Sequence, residues 1–518
     1  MVYFCLLILL FFQYAICVIG SGGNIYGQTH FTNLEEFVAG NPVRITLNRS
    51  LPLYDIPANR WYVSCTGWYG RSQSNEKLGQ FFLPNGNIQL TTSGGQDYFL
   101  PGPLPYQGQM PVNKVVRDID ALVFHIEDET FLSETFICPK VISKYIGLFG
   151  YYAFLLNENN SPRLSLEVAL PIISNRNLFK ADEVIYKQAD SGLYKNQINS
   201  LLAGLTSDYL LYQKWNFAPD GMERTQALRI EFNLAYNYVL KDILSVQTYA
   251  GVLVPLHRKN VYLNKENIEN RFIFYPQNIS SEFVGFQYGT VLSMFLYQND
   301  FRTIKFIFGN NLIYFLPHDQ VRSFDLVGRS WSRYLPVYKN LSLESAQETT
   351  LVNDLTYVCR VSPNFYNIAT IELDYMKEAA SIGIGYCLYG RQSESVTILD
   401  DIGNIMLKGT NQDITHPVSL IRSVGLRLPN EDVQVFDQPT VTKNTQPNVN
   451  YYYAKINNNT IDIASATHPA IFAGEVYLKG TLDTQQFGSF SGGISCRFCH
   501  NNAAIQYTAL WGSFEIGF

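Results

Sequence analysis

Apolar and polar positions alternate along much of this chain, and the alternation sets the reading. In RIEFNLAYNYVL, Ile230, Phe232, Leu234, Tyr236, Tyr238 and Leu240 form one face, and Arg229, Glu231, Asn233, Ala235 and Asn237 form the other. A period of two is the signature of a strand with two different surroundings. After Lys241-Asp242 the pattern resumes: Leu244, Val246, Thr248, Ala250, Val252 and Val254 stand opposite Ser245, Gln247, Tyr249 and Gly251. The pair predicts a hairpin of two long strands. Similar runs lie at Phe286–Leu296, Ile304–Tyr314, Ile371–Tyr375, Ile382–Leu388 and Leu164–Leu170, and Trp61–Gly70 reads as a first strand. Helical periodicity is confined to a short stretch near Ala189 to Leu205.

The connections are of two kinds. Lys241-Asp242, Asn299-Asp300 and Lys377-Glu378 make short turns. Asn157 to Pro162, Tyr262 to Ser281 and Asp432 to Asn450 read as long loops at the opposite end, rich in Asn, Pro and Ser. Pro101, Pro103 and Pro105 exclude a central strand from Gln96 to Gly108. The carboxylates from Asp118 to Glu134 lack the spacing of a calcium loop and read as an acidic loop. Long strands with short turns on one side and long loops on the other point away from a sandwich, whose strands are shorter and whose loops are short at both ends.

Composition agrees. Only 16% of the 518 residues are Asp, Glu, Lys or Arg, below the usual share of about 25%. Aromatics reach 14%, and the formal charge of −6 argues against a nucleic-acid partner. The first twenty residues, MVYFCLLILLFFQYAICVIG, are uncharged and read as a signal peptide, with an uncleaved membrane anchor as the alternative. Residues 21–59 are then an N-terminal periplasmic or plug segment. No later stretch could cross a membrane as a helix, so a membrane chain must cross as strands, and strands in lipid must close into a barrel.

The final strand, QYTALWGSFEIGF, puts Thr508, Leu510, Gly512, Phe514, Ile516 and Phe518 on one face. An alternating last strand ending in Phe resembles the C-terminal assembly signal of Gram-negative outer-membrane barrels, here Phe514, Ile516 and Phe518. Where that pattern often has Gly, this chain has Ser513, with Gly512 just before. Through these features residues 60–518 resemble porin-like outer-membrane proteins. The resemblance implies an all-β fold, a closed antiparallel transmembrane barrel of about 12–18 strands. It also implies location in the bacterial outer membrane and passive diffusion of small hydrophilic solutes or ions, with no catalytic residue, cofactor or metal. Its partners would be outer-membrane lipid, the barrel-assembly machinery, the solutes and other copies in a homotrimer.

The polar face would line the pore: Arg229, Glu231, Asn233, Gln287, Lys305, Glu372 and Asp374. Inward Gly289, Ser293, Gly383 and Gly385 suggest an open lumen. Gln320 to Lys339 is too irregular for a membrane strand. It is either a loop folded into the lumen, with Arg322, Arg329 and Arg333 as one wall of a constriction, or an outer loop. Cys496-Arg497-Phe498-Cys499-His500 matches the haem-attachment pattern, but in a strand positions three apart face opposite sides. A disulfide or free thiols fit that context better. Rival functions are a non-conducting barrel acting through its loops as an adhesin or host-contact protein, a barrel enzyme built on one of the scattered histidines, and a secreted soluble β-protein.

Overall fold

A computed structural model describes residues 61–72, 89–93, 131–156, 162–187, 222–240, 243–256, 282–299, 301–327, 347–402, 460–484, 488–499 and 506–517, with short pieces between them. Residues 1–60 lie outside it, and so do the helix expected near Ala189 to Leu205 and the loops Tyr262 to Ser281 (apart from 272–273) and Asp432 to Asn450 (apart from 442–443).

Twelve strands close into one antiparallel ring. In chain order they are β1 (Trp61–Ser72), β2 (Leu132–Leu156), β3 (Pro162–Lys187), β4 (Arg229–Leu240), β5 (Leu244–Pro255) and β6 (Gly285–Gln298). The second half is β7 (Arg302–Phe315), β8 (Asn364–Lys377), β9 (Ala380–Arg391), β10 (Ile471–Thr484), β11 (Gly488–Cys499) and β12 (Tyr507–Gly517). Each strand pairs with its neighbours in sequence, and β12 returns to β1, with Tyr62 opposite Gly517 and Ser72 opposite Tyr507. Closure leaves the ring no open edge, as lipid requires.

The alternation anticipated from sequence is the wall itself. Leu234, Tyr236, Ile382, Ile384, Leu478 and Leu510 are exposed on the outside, while Glu231, Asn233, Glu372 and Glu475 are buried within. Exposed large apolar side chains on strand after strand are costly in water and stabilising in lipid. Two aromatic girdles edge this band. Trp61, Tyr238, Tyr297, Phe301 and Tyr375 lie towards the short-turn end, and Tyr69, Phe286, Tyr288, Phe365 and Phe498 towards the other. No described helix is long and apolar enough to cross a membrane.

At the turn after β6, Asn299 Oδ1 accepts from the backbone N–H groups of Phe301 (3.0 Å) and Arg302 (2.7 Å), so one side chain holds the tight reversal. The segment Asn157 to Pro162 belongs to this short-turn end, because it joins the ends of β2 and β3 that lie beside Trp61 and Tyr236. That corrects its assignment to the long loops. The acidic-loop reading also ends early, since Glu134 lies inside β2. β2 and β3 run for 25 and 26 residues, well beyond a spanning length of about 9–11. Past the wall they pair with each other, and Gln89–Ser93 adds to β2 there.

Candidate functional site: the barrel interior

All seven residues assigned to the lumen from sequence stand at inward positions: Arg229, Glu231 and Asn233 on β4, Gln287 on β6, Lys305 on β7, and Glu372 and Asp374 on β8. The structure joins them into clusters with residues that sequence reading passed over. On the β8–β12 side, Lys479 pairs with Glu372 and reaches Asp374 at 3.8 Å, and Tyr477 donates to Glu372 Oε2 at 2.7 Å. Lys305 is in register with Asp374. Beside this cluster, Glu475 takes a hydrogen bond from Tyr507 (2.7 Å) and one from Arg497 (3.4 Å). The Arg497 guanidinium lies 4.6 Å from the centre of the Tyr507 ring and 5.4 Å from that of Tyr389.

The β3–β7 side carries amides instead. Asn311 donates to Gln287, Gln287 to Asn233 at 2.5 Å, and Asn233 to Glu167 at 3.3 Å, while Gln247 donates to the other oxygen of Glu167 at 3.1 Å. Arg229 closes on Glu231 at 2.9 Å and lies over the Phe315 ring.

One device recurs in these contacts. Asn233, Gly251 and Gln287 occupy one row across β4, β5 and β6, and Asn233 crosses the bare backbone of Gly251 to meet Gln287. Glu372, Gly385 and Tyr477 form the same arrangement across β8, β9 and β10, and Asp374, Gly383 and Lys479 repeat it one step along. A methyl at Gly383 would stand only 3.2–3.4 Å from Asp374, Lys479 and Glu372. At Gly289 the Tyr249 ring fills the corresponding space. These glycines therefore seat neighbouring side chains, which corrects their reading as room in the lumen.

Arg322 and Arg333 do not face water. They lie in a cap at the long-connection end, formed by the sheet His318–Ser323, Thr356–Ser362 and Ser395–Ile398 and the pair Asp325–Leu326 with Ile461–Asp462. Phe324, Leu326, Leu351, Val352 and Leu355 are buried at its centre. Asp325 binds Arg333 through both oxygens, each at 2.9 Å, and Arg322 meets Glu394 at 3.2 Å. Arg329 lies outside the described residues. In the same cap, burial pushes the Cys359 thiol up to about 12. Burial, then the charge of Asp325, raises the Asp462 carboxyl.

Phe514 and Ile516 sit on the outer face of β12, in register with Cys65 and Val63 of β1, and Phe514 packs on Phe490 at 4.8 Å. Phe518 lies outside the described residues. Cys65, Cys359 and Cys496 are free thiols. β11 continues through Cys499, so the haem-like pattern stands in extended backbone. Among the described residues, no group of three or more His, Cys, Asp or Glu could hold a metal ion.

The signal for the missed residues was present. In Glu475-Val476-Tyr477-Leu478-Lys479 the period is two, but an inward tyrosine between apolar neighbours masks it.

No protein-family model and no curated protein matches the chain. Among solved structures, it is similar to an outer membrane channel from Pseudomonas putida F1, at 7% identity over 90% of this chain and 98% of that one, with a TM-score of 0.39. It is also similar to the CymD monoaromatic hydrocarbon channel, at 9% identity over 95% and 97% of the two chains, with a TM-score of 0.27. A Pseudomonas aeruginosa FadL homologue matches at 9% identity over 96% and 99%, with a TM-score of 0.27. The closed ring, the apolar outer band between two aromatic girdles and the polar interior are the features of a transmembrane β-barrel.

Proposed function

We propose that the chain is an outer-membrane channel through which small hydrophilic solutes or ions diffuse passively, with no chemical step. The observation that carries this reading is the polar inner wall, built from charged and amide side chains on strands β3 to β11. Its charges are matched locally: Glu231 with Arg229, Glu372 with Lys479, and Glu475 with Arg497. Opposite charges a few ångströms apart act on a passing ion as small dipoles, so selectivity between cations and anions should be weak.

A second reading has its own support. The inward Arg229, Glu231 and Glu372 are 1%, 4% and 2% exposed, so the wall is closely packed as well as polar. That suits a non-conducting barrel acting through its surface loops. Single-channel recording of detergent-folded protein in a planar bilayer separates the two. Discrete, stable steps with a reversal potential near zero in a salt gradient support the channel. Silence from demonstrably folded protein, in the wild type and in variants that loosen the cap, overturns it and leaves the loops as the functional surface.

A further inference from the structure

Glu394 lies between two arginines that belong to different parts of the molecule. Arg391, the last residue of β9, donates from Nη2 to Glu394 Oε1 at 2.9 Å. Arg322, from the cap strand His318–Ser323, donates from Nη2 to Oε2 at 3.2 Å, and the backbone N–H of His468 donates to the same oxygen at 3.0 Å. The Glu394 side chain is 0% exposed, and the two arginines are 2% and 5% exposed.

The partners on each side are fixed. Arg391 is part of the wall, with its guanidinium 5.1 Å from the centre of the inward Tyr366 ring. Arg322 is part of the cap, where it also donates to Gln320 Oε1 (2.8 Å) and to the carbonyl of Ala466 (3.3 Å). Gln320 in turn donates to Glu282, just before β6, at 2.8 Å. One carboxylate therefore joins the wall to the connections that follow β7 and β9. The cap rests on inward-facing residues at this end: Phe283 packs on Phe315, and His318 packs edge-on against Phe283.

We propose that Glu394 is a latch that holds the cap closed over the outer mouth of the barrel, and that releasing it opens the channel. The inference rests on the channel reading above. Its physical basis is the asymmetry of a buried ion triad: without the carboxylate, two desolvated guanidinium groups face each other with nothing between them. The cap keeps its own apolar centre and the separate Asp325–Arg333 pair, so it can lift as a folded unit.

The test compares wild type with Glu394→Gln, Arg322→Gln and, as a control, Arg360→Gln, whose pair with Asp319 is exposed on the same cap sheet. Heat-modifiable gel mobility establishes that each barrel is folded, and planar-bilayer recording gives the fraction of time spent open. The open fraction should rise about 5-fold or more in Glu394→Gln and Arg322→Gln and stay at the wild-type value in Arg360→Gln. Should Glu394→Gln fail to fold, Arg322→Gln reads the same contact from the cap side. Equal open fractions in a conducting wild type and both latch variants overturn the latch alone. Silence in every folded variant overturns the channel reading, and the latch with it.

Discussion

Tyr477 donates a 2.7 Å hydrogen bond to Glu372 from two strands away, across the bare backbone of Gly385. The contact depends on an absence, because a methyl at Gly385 would overlap the Tyr477 ring. Gly385→Ala should cost about 1–3 kcal/mol, the usual penalty of overpacking. Gly67→Ala, with nothing within 4 Å of the added carbon, should stay within about 0.5 kcal/mol of wild type. Urea unfolding of both variants in detergent micelles, followed by tryptophan fluorescence, checks the contrast.

Lys479 serves both Glu372 and Asp374 from a nearly inaccessible position. Lys479→Met leaves the buried Glu372 without its ion-pair partner, with only Lys305 nearby among the described cations, and should cost about 3–5 kcal/mol. Lys144, whose pair with Glu223 is open to solvent, should lose only about 0–1 kcal/mol on the same substitution. Equal losses at the two sites would show that the interior is far wetter than its packing indicates.

Leu234 faces outward in the middle of β4, and Phe286 faces outward near the rim on β6. If the outer band sits in a bilayer, Leu234→Arg should cost about 2–4 kcal/mol and Phe286→Arg about 0–1 kcal/mol. Guanidinium titrations in lipid vesicles measure both. A penalty independent of depth would displace the band from the bilayer.

Cys359 is fully buried in the cap, and its thiol is pushed up to about 12 by burial. A raised acid binds its proton more tightly in the folded state. Its contribution to cap stability is therefore complete below the ordinary thiol value of about 9 and is lost as pH rises towards about 12. Maleimide at pH 8 should label Cys359 only after unfolding. Hydrogen exchange in the Thr356–Ser362 strand should accelerate between about pH 9 and pH 12, and less so in Cys359→Ala.

The wall was legible in the sequence wherever lipid and polar interior impose opposite demands on successive residues, as from Arg229 to Leu240. It was hard to read in β2, where inward Val141, Tyr145, Phe149 and Tyr151 are as apolar as outward Ile146 and Leu148. Phe149 and Tyr151 join Ala169 in a small apolar cluster inside the barrel, so neither face of β2 is polar throughout. The inward positions followed from parity alone, but their partners did not. Asn233 to Gln287 and Tyr477 to Glu372 depend on which residue stands opposite which across three strands. The cap was beyond reach for the same reason: Arg322 and Glu394 meet across two connections and two strands, and no local period records that.

The pairing of β1 with β12 has a consequence for the order of events in folding. Every other junction in the ring joins strands consecutive in the ring, whereas Val63 meets Ile516 from about 450 residues away, so this one junction carries the largest loop-closure entropy. Until it forms, the other strands make a curved sheet with two unsatisfied borders, each a template for aggregation. The outward Phe514 and Ile516 sit on that junction, so the pairing of greatest sequence separation is also the one that ends the chain's vulnerability.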